Sequence, residues 1–364
     1  MLSKSIKVLH TEWSDGWGGQ EIRIINEMLA VREKGVEVFL ACRELATIKQ
    51  KALEHQIPVF TLPFRGNADF KTLFALKKLV KQHQITIINT HSGKDTWVGG
   101  LAAKLAGIKF IRTRHLSNRI RPSRTNFINE LADYIFTTGE SVRVDMIKYN
   151  RIKPQRIQSI PTGIDAKVFD PILFNKASCR SIFNFSNEIV IGNVAVLRHF
   201  KRHDLFLRAA RGLIDMYPNK RFKFVLAGEG PMREDIERQI IELNMSEQVV
   251  MLGYIDNVAE FLSAIDIFTL TSDSKEGVPQ SIMQALFMGK PVVATNVGSV
   301  EDLYLDNNFV LVKPHEGEIT QGLASIVADN DKMDRLIRNS RISILENFSK
   351  DAMLKKITNI YENL

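Results

Sequence analysis

The chain has 364 residues, 45% hydrophobic and 25% charged, a balance that predicts a soluble globular protein of two domains with a core in each. Two cysteines in separate halves, Cys42 and Cys179, exclude a disulfide framework and a cysteine metal site, and fit a reducing, cytoplasmic compartment. The start lacks an apolar leader core and no run approaches the ~20 apolar residues of a membrane span. The net charge of +8 is uneven: residues 1–160 carry 26 Lys and Arg against 14 Asp and Glu, whereas residues 161–364 carry 23 against 27. A basic first half implies an anionic partner on that half alone. With no nucleic-acid module in the sequence, the expected partner is an anionic acceptor or the anionic inner face of a membrane rather than nucleic acid.

In chain order, residues 6–10 read as a strand that runs into a loop holding Trp13, Trp17, Gly18 and Gly19, and an amphipathic helix follows. The two glycines at this strand-to-helix turn allow backbone to approach a ligand closely. The tryptophans either stack on a sugar or cover the sheet end. Strands at 37–41, 59–62 and 85–89 alternate with helices near 46–55 and 71–82, the rhythm of a doubly wound parallel sheet. The helix over 70–81 sets Lys71, Lys77, Lys78 and Lys81 against an apolar face, which suits a solvated flank or a membrane-surface helix. His91 and His115 each stand just after a strand, at the sheet edge where open parallel sheets bind ligands. Arg112, Arg114, Arg119, Arg121 and Arg124 crowd around His115, a set suited to phosphate contacts or to simple surface charge. A strand at 133–138, read as the last of this half, precedes a helix over 140–150.

The second half opens on a strand at 189–194 and a basic loop with Arg198, Lys201 and Arg202, followed by a helix over 205–215. Strands at 222–226, 249–252 and 265–270 come next, the first leaving through the tight turn Gly228-Glu-Gly230-Pro231 and the second ending beside Tyr254. From Ser272 to Ser299 the chain reads as loop, helix over 280–287 and buried strand, with Pro279 placed in the first helical turn and Gly289 as a left-handed C-terminal residue. The N–H groups of Gly277, Val278 and Gln280 near that helix start make an anion site, and Glu276 beside it calls for a hydroxyl-bearing group; together they suggest a sugar phosphate. Two terminal helices lie within residues 331–364.

Glu276, Gly277, Pro279, Ala285, Gly289, Pro291, Val292, Val293 and Ala294 resemble the signature of the family-4 retaining glycosyltransferases, with Gln284 where that family carries a second glutamate. Pro161, Gly163, Asp165, Phe169 and Pro171 resemble its interdomain segment, and Lys201 its diphosphate-binding lysine, although Val196 replaces the accompanying arginine. The resemblance covers nearly the whole chain. It implies an α/β protein of GT-B fold: an acceptor-side domain over 1–163, a nucleotide-sugar domain over 164–345, and a last helix over 346–364 packing back on the first domain. It also implies sugar transfer, with retention, from a nucleoside diphosphate sugar (a UDP-sugar by family habit) to a saccharide or lipid-linked acceptor of surface polysaccharide or lipopolysaccharide.

By the same resemblance, Lys201 with Arg198 or Arg202 meets the diphosphate, so that neither metal nor cofactor is required. Glu276 and His115 hold the donor sugar, Gln284 the ribose, and Gly228 and Tyr254 border the donor. The Gly18–Gly19 loop lies opposite the nucleotide. Trp13, Trp17, His91, Arg114 and Arg119 are the acceptor-side candidates. Two rivals share the fold: a sugar-nucleotide epimerase, which would act on the donor without acceptor, and a binding protein without activity.

Overall fold

The computed structural model describes residues 6–115, 119–121, 127–274 and 276–364. Arg124, Lys275 and the first five residues, on which parts of the sequence reading rested, lie outside that set. The described chain divides into two compact units, residues 1–162 with 350–364 and residues 163–349.

In chain order the first unit contains β1 (Lys7–Glu12), α1 (Gly19–Arg32), β2 (Glu37–Cys42), α2 (Thr47–Glu54), β3 (Val59–Thr61), α3 (Phe70–His83), β4 (Ile87–Thr90), α4 (Gly93–Ala106), β5 (Lys109–Arg114), β6 (Tyr134–Thr137), α5 (Glu140–Asn150) and β7 (Ile157–Ser159). Its strands form one parallel sheet in the order β3-β2-β1-β4-β5-β6-β7. The strand at 134–137 is therefore not the last, as the sequence had suggested. β7 adds a three-residue edge between Pro154 and Pro161, too short for a pattern to show. β1 also extends beyond His10 to Glu12, which brings a carboxylate into the sheet. α4 carries little amphipathic signal because Gly99 and Gly100 are its packing face. A Cβ on Gly100 would sit 2.6 Å from the Phe110 ring, so the helix lies against the sheet through bare backbone.

The second unit contains α6 (Lys176–Ile182), β8 (Ile189–Val194), α7 (His203–Met216), β9 (Phe222–Ala227), α8 (Arg233–Glu242), β10 (Val249–Gly253), α9 (Val258–Ala264), β11 (Ile267–Leu270), α10 (Gln280–Phe287), β12 (Val292–Thr295), β13 (Val310–Val312), α11 (Glu316–Val327) and α12 (Asn330–Phe348). Its six strands are again all parallel, ordered β10-β9-β8-β11-β12-β13. Apolar clusters cover both sheet faces in each unit, which is why the central strands read as continuous hydrophobic runs.

The chain closes with α13 (Lys350–Asn363), which returns to the first unit. The break before it falls at Ser349, because α12 keeps its buried stripe through Ile344 and Phe348, rather than at residue 346. α13 buries Met353, Leu354, Ile357, Ile360 and Tyr361 in the same apolar cluster as Ile24, Ile25 and Met28 of α1. In both sheets the strand order reverses beside the first strand, at β1/β4 and at β8/β11. In open α/β sheets ligands bind beyond the strand C-termini at such a reversal.

Candidate functional site

Each unit holds a polar constellation at its reversal point. In the second unit the loop after β8 and the loop after β11 bring Lys201 to Glu276: Nζ lies 2.5 Å from Oε1, with Glu276 buried and Lys201 nearly so. The Ser272 hydroxyl donates to the same carboxylate. Thr271 Oγ1 donates to the carbonyls of Lys201 and Arg202, at 3.1 and 3.0 Å, which ties the two loops together. Behind Glu276 stands Gly298, at φ +59; a Cβ there would lie 2.1 Å from the Glu276 carbonyl oxygen, so only glycine permits this approach.

The sequence left two arginines as second cation, and their surroundings differ. Arg202 spends its guanidinium on Asp204 (2.8 and 2.9 Å) and on Asp273 (3.2 Å), and these carboxylates hold its proton more tightly than usual. Arg198 is exposed, and its side chain has no partner among the described residues. His203, buried at the start of α7, has its pKa pushed down to about 4 by desolvation and by Lys201.

Gly228 leaves β9 at φ +146, and a Cβ would meet the Ala195 carbonyl at 1.9 Å, so the turn lies tight against the loop after β8. Gln280 and Gln284 stand one turn apart on the half-buried face of α10, with no side-chain cap at the helix start. Pro279 has extended backbone (φ −71°, ψ 120°) and is the residue before the helix, not the first within it as the spacing had suggested. Gly289 does take the left-handed conformation expected of it, at φ +67. Gly277 and Val278 are half-buried ahead of α10, and Tyr254 is largely exposed after β10.

In the first unit three histidines form a chain. His10 Nδ1 lies 2.9 Å from His91 Nε2, and His91 Nδ1 lies 2.9 Å from His115 Nε2. His10 and His91 are buried and His115 half-buried. Burial lowers all three pKa values, His10 to about 3, helped by Arg23, and by Arg112 at the other two rings. Around them lies a second network. Asp95 accepts from Thr11 Oγ1, the His91 and Ser92 N–H groups and the Ser92 hydroxyl. Glu12 accepts from the Ser14 N–H and from Gln20, and burial beside Asp95 pushes its pKa up to about 8. Arg23 pairs with Glu27, which also receives Asn89 and the Tyr361 hydroxyl of α13.

The remaining candidates divide. Trp13 is half-buried under Lys94, whose Nζ is 3.9 Å from the ring centroid, whereas Trp17 is 40% exposed on the same loop. Gly18 is extended and donates its N–H to Glu21 Oε2, and Gly19 opens α1. Arg114 is buried, its pKa lowered to about 10 by desolvation and Arg112. Arg119 lies on the surface, paired with Asp145 and stacked over Tyr149. Sequence reasoning missed His10, Glu12, Arg23, Asp95 and Asp273. The available signal was polar residues inside apolar strand and helix patterns, as in His10-Thr11-Glu12.

Two all-parallel Rossmann-like units, each with its polar centre at the reversal point, define the GT-B class of fold. A family model described as glycosyl transferases group 1 matches residues 176–343, and one described as glycosyltransferase family 4 matches residues 17–168. The chain is 24% identical to a UDP-Gal:alpha-D-GlcNAc-diphosphoundecaprenol alpha-1,3-galactosyltransferase of Escherichia coli, over 98% of this chain and 96% of that one. It is 25% identical to an O-antigen biosynthesis glycosyltransferase of the same species, covering 89% and 92%. Among solved structures, a glycosyltransferase of Rickettsia africae superimposes with TM-score 0.89 at 19% identity, covering 99% and 98%. HepE of Anabaena in complex with UDP superimposes with TM-score 0.86, also at 19%, covering 99% and 100%. The chain belongs to the family-4 glycosyltransferases of GT-B fold, and its activity is glycosyl transfer.

Proposed function

We propose that the chain takes its sugar from a UDP-sugar held by the second unit and passes it, with retention and without a metal ion, to a hydroxyl of a lipid-linked or polysaccharide acceptor of the bacterial surface. The observation that carries this reading is the Lys201–Glu276 pair at the β8/β11 reversal, immediately ahead of the uncapped start of α10. Backbone N–H groups at that start and Lys201 suit the two phosphates, with the exposed Arg198 as second cation. Glu276 accepts hydrogen bonds from sugar hydroxyls, and Gln284 accepts from the ribose. His115 of the first unit is assigned to the donor sugar as well.

As the bond from the anomeric carbon to the phosphate oxygen breaks, its electron pair goes to the departing nucleotide, where the cations stabilise the new charge. The acceptor oxygen attacks the same face, and its proton passes to that phosphate oxygen. The names of the relatives, with their undecaprenol and O-antigen substrates, support the choice of acceptor, and the UDP in the HepE complex supports the nucleotide.

Contact with an anionic membrane belongs to the same reading. α3 buries Leu73, Leu76 and Val80 but leaves Phe70 67% and Phe74 63% exposed, beside Lys71, Lys77, Lys78 and Lys81. Exposed aromatic rings ringed by lysines suit an anionic interface better than a solvated flank. Among the described residues no helix is long and apolar enough to cross a membrane.

The test is a screen of nucleotide sugars with the purified protein, in EDTA and with lipid-linked acceptor extracts, reading nucleotide release and product anomeric configuration by NMR. Acceptor-dependent release of UDP with an axial product is expected. Donor turnover with no acceptor, an inverted product, or activity lost in EDTA would each overturn the corresponding part.

A further inference from the structure

We propose that Arg23, His10 and His91 are positioning residues that lock His115 in its Nδ1–H tautomer, so that the ring presents a hydrogen-bond donor, not a base, to its ligand. A neutral imidazole carries one N–H and one lone pair, so the two ring-to-ring bonds share a polarity. Either every N–H points toward His115 or every one points toward His10.

The inner end of the chain decides between them. His10 Nε2 is buried with no partner among the described residues, and so is Nη2 of Arg23, the nearby cation whose charge bears on the His10 ring. Arg23 is otherwise fixed, through Nε to Glu27 (3.2 Å) and Nη1 to the Ile160 carbonyl (2.9 Å). With the protons directed inward, His10 Nε2 would be a second orphaned donor in the field of a cation. With the protons directed outward it offers a lone pair there instead. Nε2 has no partner among the described residues in either arrangement, so it is the field of the Arg23 cation, which favours a lone pair over an N–H at that atom, that disfavours the inward one. His115 Nε2 then accepts from His91, and the His115 proton resides on Nδ1, which has no partner among the described residues.

The surrounding charges keep the rings neutral. Arg23 of α1 and Arg112 and Arg114 of β5 oppose a further proton. The nearby carboxylates are committed elsewhere: Glu27 to Arg23, Glu12 to Ser14 and Gln20, and Asp95 to Thr11, His91 N–H and Ser92. No carboxylate among the described residues touches a ring of the chain, so the pairing that makes a histidine a strong base is absent there. The group facing His115 is therefore an acceptor oxygen, such as a sugar hydroxyl. That last step rests on the assignment of His115 to the donor sugar; the lock itself does not.

The experiment is a long-range 1H–15N spectrum of the intact protein carrying 15N-histidine, from pH 5 to 8, with His115 assigned through His115→Gln. A neutral Nδ1–H pattern for His115, unchanged over that range, is expected. An Nε2–H pattern, or a cationic ring at pH 7, overturns the lock. His10→Phe keeps a ring beside His91, where the native centroids are 5.2 Å apart, but deletes the donor. In it His115 should show mixed tautomers and kcat should fall about tenfold with donor KM near normal. A mere packing role would leave the His115 spectrum unmoved. If His115→Ala transfers sugar normally while the wild-type spectrum shows the lock, the sugar contact fails and the lock stands. If His115→Ala is inactive and the wild-type ring is Nε2–H, the lock fails and the contact stands.

Discussion

Glu276 and Lys201 are each other's nearest charged partner, and that mutual dependence shapes what their removal does. Truncating either side chain leaves the other buried and unpaired, so stability and turnover both respond. Loss of one preorganised charge at the departing phosphate costs about 10²–10³ in kcat. Lys201→Ala is therefore expected to lower turnover by that order. Glu276→Ala, which removes the acceptor for the sugar hydroxyls and unpairs Lys201, is expected to lower it by orders of magnitude as well. Circular dichroism should still report a folded chain in both; near-normal turnover in either would remove the pair from the site. His203 makes a separate prediction. Its folded pKa of about 4 lies below the ordinary 6.5, so between these values the unfolded chain binds the proton more readily. Stability from this residue is complete above pH 6.5 and is lost as pH falls. By pH 5 the loss is about 2 kcal/mol. His10, His91 and His115 lose stability over the same range, so the check is the difference between variants. Urea unfolding at pH 7 and pH 5 should show a loss in His203→Gln smaller than the native protein's by about this amount.

Elements place these residues where side-chain chemistry alone would not. The backbone of Glu276 is held by the close approach of Gly298, whose left-handed φ and missing Cβ are both required. Gly298→Ala is expected to destabilise the second unit by about 1–3 kcal/mol through strain and to displace the Glu276 loop. The check is urea unfolding together with turnover, and a substitution neutral in both would refute the constraint. The signature around α10 was legible because glycine, proline and the apolar strand after it are local signals. Pro279 fell one position from its expected place because its backbone is extended, which the ring's fixed φ allows equally well. β7 escaped notice because three residues carry no periodicity, and α4 because its packing face is glycine.

Within the whole molecule the first unit is built from two distant parts of the chain. α13 contributes five buried side chains to its core, at about 1.5–3 kcal/mol each if fully buried, a sum comparable with the 5–15 kcal/mol stability of an ordinary domain. Ending the chain at Ser349 is therefore expected to abolish the first unit's melting transition in calorimetry while the second unit's remains; an unchanged first transition would show the helix to be dispensable. The basic first half makes the other prediction at this scale. Sedimentation with anionic vesicles should occur at low salt, weaken at high salt, and be lost in Phe70→Ser/Phe74→Ser. Sedimentation that ignores both would assign it elsewhere.

The linear order of residues determined the alternating elements, the glycosyltransferase signature and the uneven charge, because each is a local pattern repeated along the chain. It could not determine which of two arginines is left without a partner among the described residues, since Asp273 reaches Arg202 only after β11 folds beside β8. Nor could it show that His10, His91 and His115 share one line of hydrogen bonds. That line exists because parallel strands β1, β4 and β5 lie side by side, and their neighbouring ends bring together residues far apart in the sequence.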